Sequence, residues 1–236
     1  MYNGAHSVYF GDKNTWTDWF LIPGSRPVFN PPKPKTHYLD IPGADGSIDL
    51  SESLTRCPVF NDREGTMDFI VDNGHKEWNE LYSEIMDYLH GRTMKARLSD
   101  DPEYYYEGRF SVNEWRSEES NSVISIDYRV SPYKWKTGET LLISHSQNDE
   151  AEIFPVEDYE TGTAPTIPRI EISNSDNGIT VTFFNSTLDI NETVTLQNGS
   201  YRLSNFVICP NRNENEMYFA FTGSGTYKVY IRKGGL

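Results

Sequence analysis

The residues that could do chemistry are few in this chain. It has two cysteines, Cys57 and Cys209, and five histidines. Nucleophilic catalysis requires a serine or cysteine beside a histidine that a rigid element holds. These histidines fall near a terminus, in loops and at the two ends of one predicted helix, and the cysteines offer neither a zinc spacing nor a disulfide framework. The histidines are His6, His37, His75, His90 and His145.

One stretch has the alternating oxygen ligands of a calcium loop. Asp45, Ser47 and Asp49 occupy alternate positions, as the first three ligands of an EF-hand do. The sixth position of that loop must be glycine and the twelfth a bidentate glutamate. This chain has Leu50 and Arg56 there, so the pattern predicts no metal site.

Paired carboxylates occur as Asp100 with Asp101 and as Asp62 with Glu64. Glycoside hydrolysis requires two carboxyl groups on opposite sides of a cleft, whereas neighbouring acids in a turn are usually solvated. The chain also has no P-loop, nucleophile elbow, H-E-x-x-H or C-x-x-C motif. The sequence therefore predicts that the protein is not an enzyme and that it uses no cofactor or metal.

The composition of the chain limits the classes of partner that it can bind. The chain has 236 residues, a net charge of −14 and 14% aromatic residues. An acidic chain is unsuited to phosphate contacts with nucleic acid or to anionic membranes, and no stretch approaches the ~18 apolar residues of a membrane span. We expect no specific nucleic-acid binding, no membrane association and synthesis in a reducing, cytoplasmic compartment.

Periodicity predicts one helix among many strands. Residues 75–90 carry a single apolar stripe at helical spacing, and Gly91 follows as the stop signal. Strict alternation predicts strands at 66–71, 93–99, 103–110 and 123–130. The fold class is therefore mainly β, with an N-terminal β-sandwich or barrel-like domain that carries one packed helix.

The second half of the chain is predicted to form a separate β-sandwich. Short strands recur with turns every eight to twelve residues after residue 168, as in an antiparallel β-sandwich. Residues 145–167 are acidic and contain prolines, which is typical of a boundary. We predict domains at 1–144 and 168–236, joined by a linker over 145–167.

Residues 31–71 resemble the N-terminal domain of phage distal tail proteins. The resemblance rests on an I-P-G-x-D-G-x-x-D-L block after a proline-rich lead, and on an Asn and an Arg ahead of an alternating strand. It extends over roughly residues 15–135, whereas the remainder fits the family only by layout. The matching residues are Ile41, Pro42, Gly43, Asp45, Gly46, Asp49, Leu50, Asn61 and Arg63.

This resemblance implies a structural role in the virion. It implies a homohexameric ring at the tail tip, built by the N-terminal domain, with a galectin-like C-terminal domain outside it. It further implies contact with the tail-tube protein and with a tail-tip or baseplate hub protein, and an assembly role for the motif loop. The second domain would be free to meet a receptor-binding protein or the host surface.

A carbohydrate-binding adhesin acting through the second domain is the alternative. β-Sandwich modules bind sugars by stacking an aromatic side chain on the ring. All five tryptophans precede residue 146, so the usual platform is missing there. The second domain keeps Tyr201, Tyr218, Tyr227 and Tyr230, and these leave the alternative open.

Overall fold

The computed structural model describes residues 3–55, 57–72, 77–117, 122–148, 150–157, 162–209 and 216–236. The chain divides into two compact units, residues 1–35 with 60–134 and residues 36–59 with 135–236. The elements in chain order are β1 (Val8–Phe10), β2 (Lys13–Asn14), β3 (Leu21–Pro23), β4 (Tyr38–Asp40), β5 (Ser47–Asp49), β6 (Arg63–Val71), α1 (Trp78–Leu89), β7 (Arg92–Leu98), β8 (Tyr104–Ser117), β9 (Ser122–Val130), β10 (Lys134–Lys136), β11 (Thr140–Gln147), β12 (Glu152–Pro155), β13 (Arg169–Ser173), β14 (Ile179–Asn185), β15 (Ile190–Leu196), β16 (Gly199–Arg202), β17 (Met217–Thr222), β18 (Gly225–Ile231) and β19 (Gly234–Gly235).

The first unit is a curved antiparallel sheet, with strands in the order β2-β1-β7-β8-β9-β6-β3. Strand β6 is buried at alternate positions because one of its faces lies on the core. Its partner β9 pairs with it from Arg63–Val130 to Val71–Ser122. The largest side chains with no exposed surface in this core are Phe10, Trp19, Phe69 and Phe110.

Helix α1 covers this core with one face. Leu81, Ile85 and Leu89 are buried, and they recur every four residues so that they share the stripe predicted from the sequence. The helix ends where Gly91 adopts a φ of +71°, which a residue with a side chain rarely adopts. The structure confirms a helix here, beginning at Trp78, and the predicted first turn at 75–76 lies outside the described residues.

The predicted strands of the first unit are present, and two of them are clearly longer than predicted: β6 begins at Arg63 instead of residue 66, and β8 extends at its end. Strand β8 continues to Ser117 instead of ending at Phe110. Its register with β9 shifts between Val112 and Glu114. An irregularity of this kind interrupts the alternation of inward and outward residues, so sequence periodicity ends before the strand does.

The second unit contains two four-stranded antiparallel sheets. Their strand orders are β11-β18-β13-β16 and β12-β17-β14-β15. Strand β14 alternates buried and half-buried residues throughout its length. The large buried side chains of this core include Phe183, Phe206, Phe219, Phe221 and Tyr227. The mainly β fold class is thus confirmed in both halves.

The predicted linker over 145–167 is not a connector between units in the structure. It contains the end of β11, which pairs with β18, and all of β12, which pairs with β17. Each strand forms one edge of a sheet, and the second unit already resumes at Trp135. Residues of the predicted linker therefore belong to the sheets of the second unit.

Candidate functional site

The histidines are held by structural contacts. His6 Nδ1 lies 2.6 Å from Asp100 Oδ2, which also accepts a 2.8 Å hydrogen bond from Arg26 Nε. These contacts lower the pKa of the Asp100 carboxyl, His6 contributing more than Arg26. His90 Nδ1 accepts a hydrogen bond from the backbone N–H of Val112, while His75 lies outside the described residues.

The carboxylates of both pairs form ion pairs, Asp100 and Asp101 with different partners and Asp62 and Glu64 with the same arginine. Asp101 binds Lys134 at 2.5 Å, apart from the contacts of Asp100. Asp62 and Glu64 both face Arg129, at 2.9 and 3.4 Å from its Nε. Neither pair presents two free carboxyl groups across a cleft. Among the described residues, no group of three or more His, Cys, Asp or Glu side chains could hold a metal ion.

One polar cluster connects the two sheets of the second unit. Glu152 on β12 lies 3.0 Å from His145 Nε2 on β11, and its Oε2 accepts a 3.2 Å hydrogen bond from Tyr227 Oη. Burial, together with the charge and hydrogen bond of Glu152, raises the pKa of the Tyr227 phenol. Tyr227 is fully buried, whereas His145 and Glu152 are partly exposed, so the cluster links the buried phenol to the edge strands β11 and β12.

The family-motif residues build a hairpin, which we call the arm (residues 36–50). Strands β4 and β5 pair in register, with Leu39 opposite Ile48, and bond to no other described strand. Leu50 N donates a 2.8 Å hydrogen bond to His37 O, which extends the ladder. A lone two-stranded hairpin is marginally stable in water, so the arm is suited to binding something else.

The tip of the arm requires its two glycines. Gly43 and Gly46 have φ values of +85° and +74°, in the left-handed region that other residues avoid. A Cβ on either one would meet nothing within 4 Å. Backbone conformation, rather than space, is therefore the reason for glycine at these two motif positions.

The arm exposes apolar side chains together with carboxylates. Leu39 and Ile48 are each 47% exposed and Tyr38 is 57% exposed, so one cross-strand apolar pair faces water. Asp40 accepts a 2.5 Å hydrogen bond from Ser47, and hydrogen bonds from Ser51 lower the pKa of Asp49. An exposed apolar group of this kind marks an interaction surface.

The chain segments on either side of residues 36–59 meet within the first unit. Asn61 N donates a 2.8 Å hydrogen bond to Lys33 O, and Pro34 forms a bridge with Phe60. The two chain segments that lead into and out of the arm are therefore joined. Beside them lies a depression of about 800 Å³ whose walls include the proline-rich lead.

Arg63 stabilises the chain segment that precedes the arm. It is 4% exposed and donates hydrogen bonds to Asn30 O at 3.0 Å and to Pro132 O at 2.8 Å. Its guanidinium carbon lies 5.3 Å from the centroid of the Tyr106 ring. Burial lowers the pKa of this guanidinium. Hydrogen bonds to backbone carbonyls therefore stabilise the buried cation.

The predicted motif residues fall into two groups. Ile41 through Leu50 belong to the arm, and Asn61 and Arg63 bind backbone carbonyls within the first unit. Sequence reasoning missed Leu39 and Ile48, which are the exposed pair. Their signal was available, because an apolar residue on each side of a G-x-D-G turn predicts a hairpin.

A second surface was also missed. The outward side chains of the sheet β12-β17-β14-β15 form what we call the threonine face. Its polar members are Thr180, Thr182, Asn191, Thr193, Thr195 and Thr222. Its other members are Ile153, Pro155, Phe184, Tyr218 and Ala220.

Comparison with known proteins identifies the fold. Neither the family models nor the curated proteins gave a match. A solved structure, the Dit (gp 19.1) protein of phage SPP1, superposes with a TM-score of 0.69 at 15% identity, over 98% of this chain and 100% of that one. Its title describes a paradigm of the hub adsorption apparatus in phages that infect Gram-positive bacteria. At this identity the similarity shows a shared fold, and it agrees with the resemblance found in residues 15–135.

Proposed function

We propose that this chain is a structural component of a phage or prophage tail tip. In this role it forms a closed hexameric ring that joins the tail tube to the tail-tip or baseplate hub proteins. The observation that carries the proposal is the shared fold along the whole of both chains. The fold neighbour is described as part of a hub adsorption apparatus, and no catalytic cluster competes with a structural role among the residues described above.

The arm supports assembly with copies of the same chain. A surface that binds a different surface on an identical neighbour generates a ring when the rotation closes. The exposed Leu39–Ile48 pair supplies the apolar part of such a contact. Asn61 and Arg63 hold together the chain segments that flank the arm, and order present before binding lowers the entropy lost on binding.

The partners and location follow from this role. The ring lies at the virion tail tip, with the tail-tube protein on one side and the hub protein on the other. The second unit, galectin-like as the family resemblance implies, remains available for a receptor-binding protein or the host surface. An acidic chain suits a channel that DNA must leave, since a basic lumen would add phosphate contacts.

The native mass tests the ring. Multi-angle light scattering of the full chain is expected to give about six times the 27.1 kDa of one chain, and negative-stain images are expected to show closed rings. A monomer at every concentration and salt tested would contradict the proposal. Pairs of rings would not, because two closed rings stack without changing the ring contact.

A further inference from the structure

The threonine face differs in charge from the rest of this chain. The protein carries a net charge of −14, yet none of the outward side chains described on β12, β14, β15 and β17 is charged. The glutamates of these strands, Glu152 and Glu192, lie at the alternate positions. A ligand on this face therefore meets neither attraction nor repulsion from formal charges within it.

Hydroxyl groups cover most of this face in a regular array. The Oγ1 atoms of Thr180 and Thr195 form a hydrogen bond of 3.0 Å, and those of Thr182 and Thr193 form one of 2.9 Å. Each hydroxyl has one donor and two acceptor positions, so every pair keeps capacity for a ligand. Both pairs lie between β14 and β15, where neighbouring strands are about 4.8 Å apart.

A groove lies at the aromatic end of the face. It has a volume of about 400 Å³ and is lined by Ile153, Pro155 and Tyr218, with Glu157 and Glu216 among its other residues. Phe184 stacks on one side of the Tyr218 ring at 5.1 Å, and Pro155 is the neighbour of Tyr218 on the opposite strand. Small-molecule sites are concave, mostly apolar and about 300–1,000 Å³ in volume.

The two glutamates decide which ligands the groove accepts. Both are exposed, and no described residue forms an ion pair with Glu157 or Glu216. Ionised carboxylates only accept hydrogen bonds, so they suit a ligand rich in hydroxyl donors and repel an anionic one. The apolar wall around Tyr218 suits the C–H side of a sugar ring.

A protein segment fits this surface less well. Binding hot spots between proteins are enriched in Trp, Tyr and Arg and contain few Thr, whereas threonine predominates here. Strand addition at the β12 edge is also disfavoured by a proline. Val156 N donates to Met217 O, and because donors alternate along an antiparallel strand, Pro155 occupies the open side without an N–H.

We propose that the threonine face and its groove bind a neutral oligosaccharide. The sugar ring packs against Tyr218, its hydroxyls donate to Glu157 and Glu216, and the chain continues along the threonine pairs. This binding adds to the ring role and does not depend on it. The sequence left Tyr218 open as a sugar platform, but it did not indicate the threonine pairs or the groove, because their residues lie on strands that are separated along the chain.

Calorimetry with three neutral tetrasaccharides tests the proposal on the full chain. Maltotetraose, cellotetraose and chitotetraose are the probes, and saturable binding of at least one is expected. Tyr218→Ala is expected to weaken that binding about 10-fold, and the double variant Thr182→Val/Thr193→Val several-fold, because it removes hydroxyls at constant volume. Tyr230→Ala is the matched control, since Tyr230 lies on the other sheet beside Arg169.

Each result of these experiments either supports the proposal or overturns it. Wild-type binding that Tyr230→Ala preserves and Tyr218→Ala weakens supports the proposal. No saturable binding of any probe at several-millimolar concentration, or binding that neither the tyrosine nor the threonine variant changes, overturns it. Binding of tetralysine in place of the sugars also overturns it, in favour of a basic peptide. Light scattering of each variant measures its native mass and so shows whether the ring forms. Loss of sugar binding and loss of the ring are therefore distinguishable.

Discussion

Arg63 donates a 3.0 Å hydrogen bond to the backbone carbonyl of Asn30, the residue that precedes the proline-rich lead of the arm. The same side chain binds Pro132 O at 2.8 Å. One buried cation therefore joins β6 to the segment that begins the arm and to the loop after β9. Arg63, the arginine of the family motif, is therefore explained by its hydrogen bonds to backbone carbonyls and not by a catalytic role.

Replacing this arginine is expected to loosen the chain segment that precedes the arm. Arg63→Met leaves the two carbonyls without a donor, and an unsatisfied buried acceptor costs about 1–3 kcal/mol. We expect the free energy of unfolding to fall by about that amount in urea titrations, and the ring to dissociate at higher protein concentration. Arg129→Met is the control, because Arg129 is exposed and its loss is expected to leave both measurements unchanged. Equal effects of the two variants would contradict this role for Arg63.

The apolar pair on the arm is expected to be required for assembly. Leu39→Ser combined with Ile48→Ser removes apolar surface that the isolated chain leaves exposed, so the fold of the chain loses little. Light scattering is expected to show monomers, with an unchanged circular dichroism spectrum. Ile153→Ser, at a more exposed apolar residue of the second unit, is expected to keep the ring. A ring that survives the double variant would show that the arm is not the contact.

Acid is expected to destabilise the second unit through Glu139. Burial alone would raise the pKa of this carboxyl, but the hydrogen bonds and charges of Arg169 and Arg202 outweigh burial and hold the pKa below its ordinary value of 4.5. The Arg169 contact measures 2.7 Å. Because the folded pKa is the lower one, these ion pairs stabilise fully above the ordinary value, and the stabilisation is lost as pH falls through the folded value.

Glu139→Gln checks this pH dependence. The variant is expected to lose about 1–2 kcal/mol of unfolding free energy at pH 7 and to lose less than wild type when the pH is lowered from 6 to 3. Glu114→Gln is the control, because its pair with Arg116 is exposed on both sides and such pairs contribute little. Parallel pH profiles for wild type and Glu139→Gln would rule out this assignment.

Fragments distinguish the observed boundary from the predicted linker. Residues 168–236 lack β11 and β12, which form an edge of each sheet in the second unit, and Ile143 is part of the core. We expect residues 168–236 to show no cooperative unfolding in urea, and residues 135–236 to unfold cooperatively. Cooperative unfolding of the shorter fragment would restore the boundary predicted from sequence.

Local pattern was enough to predict much of this protein. The stripe that contains Leu81, Ile85 and Leu89 predicted α1, because helical periodicity depends only on neighbours along the chain. Gly91 predicted the end of the helix for the same reason, since a positive φ value restricts residue type locally. The mainly β class followed from alternation in strands such as β6 and β14.

Only the tertiary structure decided how distant segments combine. The acidic stretch around Glu152 read as a linker, since composition does not distinguish a solvated connector from an exposed sheet edge. Arg63 gained its role from the carbonyls of Asn30 and Pro132, which no sequence pattern places beside it. The threonine face likewise exists because strand register brings Thr182 opposite Thr193 and Phe184 opposite Tyr218. Register between strands is set by the packing of the whole core, and a single sequence carries no local signal for it.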